Sequence, residues 1–123
     1  MKKIHNMTPH VITIVVDGVR VDFPSEGVIR ATQKDEKIDE IETNINLGNS
    51  SSGFTIPVFS SSFGEPEGMP MGDDIDPDGI YIVSAIAAQA LKQAGWVGTY
   101  MVTCGAIRDE QGRIVGCQGL ARI

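Results

Sequence analysis

The stretch VITIVVDGVRVDF, Val11 to Phe23, sets the fold. Val11 to Val16 is a β-branched apolar run, and Val19, Val21 and Phe23 alternate with Arg20 and Asp22, the period of a half-buried strand. Only Asp17-Gly18 separates the two runs. A type I′ turn needs positive φ at both central residues, which Asp-Gly accommodates, so the stretch predicts a β-hairpin with strands over 11–16 and 19–23.

Working outward, Pro24 to Gly27 reads as a turn and VIRATQ (28–33) as a third strand. Lys34 to Glu40 is charged and expected to be solvated. IETNINL (41–47) alternates, with Ile41, Ile45 and Leu47 on one face. GNSSSG (48–53) reads as a loop and FTIPVF (54–59) as a strand, whose Pro57 points to an edge or a bulge. Residues 60–79, SSSFGEPEGMPMGDDIDPDG, form a long irregular stretch of the kind that carries function or moves.

YIVS (81–84) then leads into a helix over about 84–94. Val83, Ile86, Ala87, Ala90, Leu91 and Ala94 make one apolar stripe, with Ser84 as N-cap and Gly95 as the residue after the C-cap. TYMVT (99–103) and RIVG (113–116) supply the closing strands, with the Asp109–Gly112 turn before the second. The expected fold is α+β, a single domain over 1–123, with a mainly antiparallel β-sheet and one principal helix packed on it. Few polar positions lie on that helix, so a partner subunit is expected to cover part of it.

The chain has 123 residues, 41% of them hydrophobic, which suits one modest core. No secretory signal and no membrane span is read, and a cytoplasmic location is expected. Cys104 and Cys117 are accordingly expected as free, buried thiols. A formal net charge of −6 argues against DNA as a partner. The charge is uneven. Residues 1–79 carry 6 basic and 14 acidic side chains, whereas 80–123 carry four basic ones (Lys92, Arg108, Arg113, Arg122) against Asp109 and Glu110. A small anion would meet the last third.

No catalytic or metal set emerges. Asp74 to Gly79 copies the start of a calcium loop, but the twelfth place is Ala85 where a bidentate Glu is needed. His5 and His10 lack a third ligand, and His10 reads as a structural side chain near the strand start, with Asn6 and Thr8 capping local backbone. The serine clusters at 50–52 and 60–62 have no elbow motif, and there is no phosphate-cradling glycine loop. No cofactor is expected. Arg108 and Arg113 flank one hairpin turn, Lys92 lies on the helix, and Tyr81 and Trp96 offer flat rings. Together these have the makings of a nucleotide site. The competing reading pairs Arg108 with Glu110 and leaves Arg113 solvated.

NMTPH (6–10), YIVS (81–84) and RDEQGRIVGC (108–117), in that order, resemble segments of the Thoeris anti-defence sponge family of the first described type. The resemblance implies a phage protein without enzymatic activity that sequesters cyclic ADP-ribose-type (glycocyclic ADP-ribose) signals made by TIR enzymes. It also implies a homo-oligomer, a dimer or an assembly of dimers, with ligand near a subunit interface. On these positions Arg108 and Arg113 would clamp phosphates, Tyr81 would stack on the ligand, and Arg30 would serve a second anionic site. FTIPVF lacks an arginine that a cyclic oligonucleotide site would draw on. A small enzyme acting on a nucleotide or ADP-ribose derivative, and a phage structural or accessory protein, are the alternatives.

Overall fold

A computed structural model describes residues 1–96 and 98–123, with Leu47 described by its backbone alone. Among the described residues eight strands and one α-helix make a six-stranded sheet and a separate two-stranded ribbon. The strands are β1 (Lys3–Asn6), β2 (Ile12–Val16), β3 (Val19–Phe23), β4 (Gln33–Leu47), β5 (Ser50–Phe63), β6 (Gly79–Ile82), β7 (Tyr100–Arg108) and β8 (Ile114–Arg122), and the helix is α1 (Ala85–Gln93). The fold is α+β with one principal helix, as the sequence predicts.

In the six-stranded sheet the order is β1-β6-β7-β8-β2-β3. The long ladders, β7–β8 and β2–β3, are antiparallel, whereas β1–β6, β6–β7 and β2–β8 pair in parallel over fewer residues. The β2–β3 hairpin turns at Asp17 (φ 51°) and Gly18 (φ 76°), the two positive φ values that a type I′ turn requires. Parallel neighbours need a crossover, and α1 provides it between β6 and β7.

The limits of α1 are chemical. Ser84 Oγ accepts the Ala87 amide at 3.3 Å, capping the first turn. At the other end the Gly95 amide reaches Lys92 O at 3.1 Å and the Trp96 amide reaches Leu91 O at 2.8 Å, with Gly95 at φ 85°. These two bonds make a Schellman cap. Ala87, Ala88, Ala90 and Leu91 are buried. The core they enter holds Ile29, Tyr81, Val83 and Tyr100, with Met7, Met69, Val102 and Ile123 packed beside it. The chain itself therefore covers most of the apolar stripe, leaving Ile86 half exposed.

Three sequence expectations give way. VIRATQ is not a third strand of its own: Arg30 makes a single bridge to Glu67, Ile29 inserts into the core, and Gln33 already begins β4. The serines of GNSSSG lie inside β5, so the connecting turn is only Gly48-Asn49, while the run Lys34 to Glu40 is exposed as expected and lies within β4. Both faces of a two-stranded ribbon can meet water, so charge and serine do not exclude strand there. Cys104 is exposed rather than buried, and both cysteines are free.

Candidate functional site

The predicted site residues fall in four places. Arg108 and Arg113 stand at the tip of the β7–β8 hairpin, where Asp109 organises the turn. One Asp109 carboxylate oxygen accepts the amides of Gln111 (2.9 Å) and Arg113 (3.0 Å), and the other accepts Arg113 Nε at 3.1 Å. Arg113 also bonds Gln111 Oε1, and Arg108 Nη1 donates to the Gly112 carbonyl at 2.7 Å. Both guanidiniums thus have partners within the turn. The ion pair is Arg113–Asp109 rather than the Arg108–Glu110 pair weighed from sequence.

Tyr81 lies inside the core at 5% exposure. His5 stacks on its ring (centroids 5.0 Å apart, 21° between planes), and Tyr100 packs at 5.6 Å. Its hydroxyl accepts the Asp76 amide at 3.1 Å. Tyr81 is therefore a core ring in the single chain. The aromatic series continues to Trp96, edge-on to Tyr100 at 6.4 Å, and Trp96 is 47% exposed. Arg30 is exposed in its bridge to Glu67, whose backbone carbonyl accepts the Arg30 amide at 2.8 Å.

Lys92 lies on the exposed side of α1, in a groove that sequence reading did not anticipate. The groove, a cavity of about 220 Å³, is lined by Ala85, Ala88, Gln89, Lys92, Val102, Arg122 and Ile123. Arg122 comes from the end of β8, where it pairs with Met101. No acidic side chain lines this groove. A second cleft of about 510 Å³ shares Ala85 and Val102 with it and runs past Ser84 to Thr8, Pro9 and His10. Lys92 and Arg122 belong to elements far apart in sequence. What could have signalled their proximity is that α1 crosses over the sheet and β8 returns beneath it.

The two cationic places are not one site in a single chain. Arg122 is at one end of the β7–β8 ladder, opposite Met101, and Arg108 is at the other, opposite Ile114. Seven steps along β7 at about 3.4 Å per residue separate them by roughly 24 Å. No single small nucleotide spans that distance.

The NMTPH segment is a structural lock. Asn6 is fully buried, and its Nδ2 donates to the carbonyls of His10 (2.7 Å) and Phe23 (2.8 Å). Its Oδ1 accepts the amide (3.0 Å) and hydroxyl (2.7 Å) of Thr8. One amide side chain thereby joins β1, the turn before β2 and the end of β3. The sequence expectation that Asn6 and Thr8 cap backbone matches, although it is the His10 carbonyl rather than its ring that takes part in these bonds.

His5 faces two carboxylates, Nδ1 to Glu26 Oε1 at 2.9 Å and Nε2 to Asp76 Oδ2 at 2.8 Å. Carboxylates accept only, so the imidazolium form is the one that donates from both nitrogens. The bond to Asp76, then that to Glu26, raises the His5 pKa. Asp76 is held below the usual carboxylate range, first by His5 and then by the Asp78 amide. With both nitrogens engaged, His5 has none to take a proton from a nucleophile. Among the described residues no group of three or more His, Cys, Asp and Glu is placed to hold a metal, and no helix is long and apolar enough to cross a membrane. Against known proteins, the chain matches no family model, no curated protein and no solved structure at a significant level.

Proposed function

We propose that this is a non-enzymatic binding protein that sequesters a cyclic ADP-ribose-type signalling nucleotide, and that it thereby blocks TIR-based antiphage immunity in the host cytoplasm. One observation carries the reading: Lys92 and Arg122 line one groove, with an apolar floor and no acidic side chain among its walls. An anion entering there meets two cations and no acidic side chain, and the adjoining cleft has room for the rest of a nucleotide. Arg108 and Arg113, already engaged within their turn, are the weaker pair and serve a ligand only in competition with those bonds. The closed His5–carboxylate cluster supports holding the ligand rather than converting it.

Calorimetric titration with cyclic ADP-ribose and its glycocyclic isomers tests this. Lys92→Ala and Arg122→Ala are each expected to weaken binding about tenfold or more, the loss of one charge-assisted phosphate contact. Heating the complex returns ligand of unchanged mass. An absence of binding, unchanged affinity in the double variant, or a hydrolysed product overturns the reading.

A further inference from the structure

The six-stranded sheet curls until its two edges meet. β1 and β3 stand at opposite ends of the strand order, yet Asn6 and Ser25 form a parallel bridge, and the Glu26 amide donates to the Asn6 carbonyl at 2.9 Å. Just beyond this seam the Ile29 amide reaches the Met7 carbonyl at 3.0 Å, and Ile29 is buried in the core. On its other side β1 pairs with β6 over four residues. The seam is the weaker flank of β1.

His5 sits at the seam and reaches both ways. Its Nδ1 meets Glu26, in the turn that follows β3, and its Nε2 meets Asp76, in the segment before β6. The ring lies on Tyr81 of β6, and a Cβ at Gly79 would come within 3.0 Å of the ring carbon Cδ2, so the ring is held in place. The two carboxylates are not held alike. Asp76 Oδ1 accepts the Asp78 amide at 3.0 Å, the Asp76 amide donates to the Tyr81 hydroxyl at 3.1 Å, and the side chain is 23% exposed. The Glu26 side chain is 46% exposed, and His5 is its hydrogen-bond partner. Lys3, on β1 itself, acts on Asp76, and Tyr81 is the remaining titratable group against the ring.

A neutral imidazole keeps one N–H, so between two carboxylates it donates to one and turns a lone pair on the other. The better-fastened Asp76 keeps the bond. We infer that His5 is a proton-operated clasp on the β1–β3 seam: the imidazolium holds both flanks, and loss of the Nδ1 proton releases Glu26, so that residues 24–27 part from β1 while Asp76 stays bonded. The clasp is independent of the nucleotide reading, because neither Lys92 nor Arg122 takes part. Both carboxylates raise the His5 pKa, so closure is complete below the ordinary value of about 6.5 and is lost as pH rises through the raised one.

Nuclear magnetic resonance of the whole chain across that window tests the clasp. Above it the His5 ring is expected to carry its proton on Nε2 and none on Nδ1. Protection of the Glu26 amide against exchange, corrected for the intrinsic effect of pH, is expected to fall about tenfold or more, the loss of one charge-assisted bond. Protection of the Tyr81 amide, which bonds the Thr99 carbonyl inside the sheet, falls less. Glu26→Gln, at an exposed position, abolishes the local fall, because a side-chain amide donates to the bare Nδ1. Asp76→Asn abolishes it by the opposite route, since Nε2 then gives up the proton and Nδ1 keeps its bond to Glu26. A neutral wild-type ring protonated on Nδ1, equal losses of protection at Glu26 and Tyr81, or an unchanged fall in either variant overturns the inference.

Discussion

His5 and Asp76 lie 71 positions apart in sequence, yet His5 Nε2 donates to Asp76 Oδ2 at 2.8 Å, fastening β1 to the irregular segment before β6. The partnership ties folding to pH in a defined direction. The His5 pKa is raised in the fold, so its contribution is complete below the ordinary imidazole value of about 6.5 and is lost as pH rises through the raised value. The melting temperature is expected to fall as pH increases across that window. In His5→Gln the fall disappears. At the acid end Asp76, held low, contributes above its ordinary range and loses that contribution as pH drops through the lowered value.

Asn6 has no side-chain bond to spare. Asn6→Ala takes the side-chain partner from the Phe23 carbonyl and the Thr8 amide in a buried place, and leaves the Thr8 hydroxyl and the His10 carbonyl only each other. Denaturant unfolding is expected to show a loss of about 3 kcal/mol or more, among the larger effects of a single substitution. Asn6→Asp is as damaging, because it replaces two donors with acceptors that face carbonyls.

Gly68 sits at φ 88°, and a Cβ there would lie 2.4 Å from the Val28 carbonyl oxygen. The clash is with backbone, so no side-chain adjustment relieves it. Gly68→Ala is expected to lower stability by about 2 kcal/mol or more and to loosen the adjoining Arg30–Glu67 bridge. Amide exchange at Arg30 and Glu67 is the sensitive readout.

The two thiols should react unequally. Cys104 is exposed, while Cys117 is 5% exposed and its Sγ lies 3.5 Å from the Thr13 carbonyl. A maleimide is expected to modify Cys104 in the native protein and to reach Cys117 only on unfolding. Reducing agent leaves the melting temperature unchanged. Rapid double labelling of the native protein contradicts the burial described.

What the sequence revealed followed local chemistry. Asp17-Gly18 dictated a hairpin because few dipeptides accept two positive φ values, and Ser84 and Gly95 marked a helix that indeed runs Ala85–Gln93. Long-range neighbours were hidden. Nothing local in β2 announces that Ile14 pairs with Cys117, or that Lys3 pairs with Gly79. Tyr81 read as a ligand-facing ring because a tyrosine before a helix gives no sign of whether His5 and Tyr100 will enclose it. Arg122 was counted as a cation but not placed, since only the crossover of α1 sets Lys92 beside it. The turn at Asp109 was legible in principle: an Asp followed three residues later by Gly favours side-chain bonding to the amides that follow, which makes Asp109 a better partner than Glu110.

The parallel pairing of β2 with β8 also has a consequence for how the chain matures. β8 comes last among the described strands, so the six-stranded sheet cannot close until residues up to 122 have left the ribosome. Folding of the body must wait for contacts spanning a hundred positions, which makes it slow relative to any local step. The β4–β5 ribbon needs only its own Gly48-Asn49 turn and can form much earlier. A nascent chain can therefore pair β4 with β5 before the six-stranded sheet exists. During that interval the five carboxylates of residues 33–63, against two lysines, set like charges between two such ribbons and disfavour their pairing.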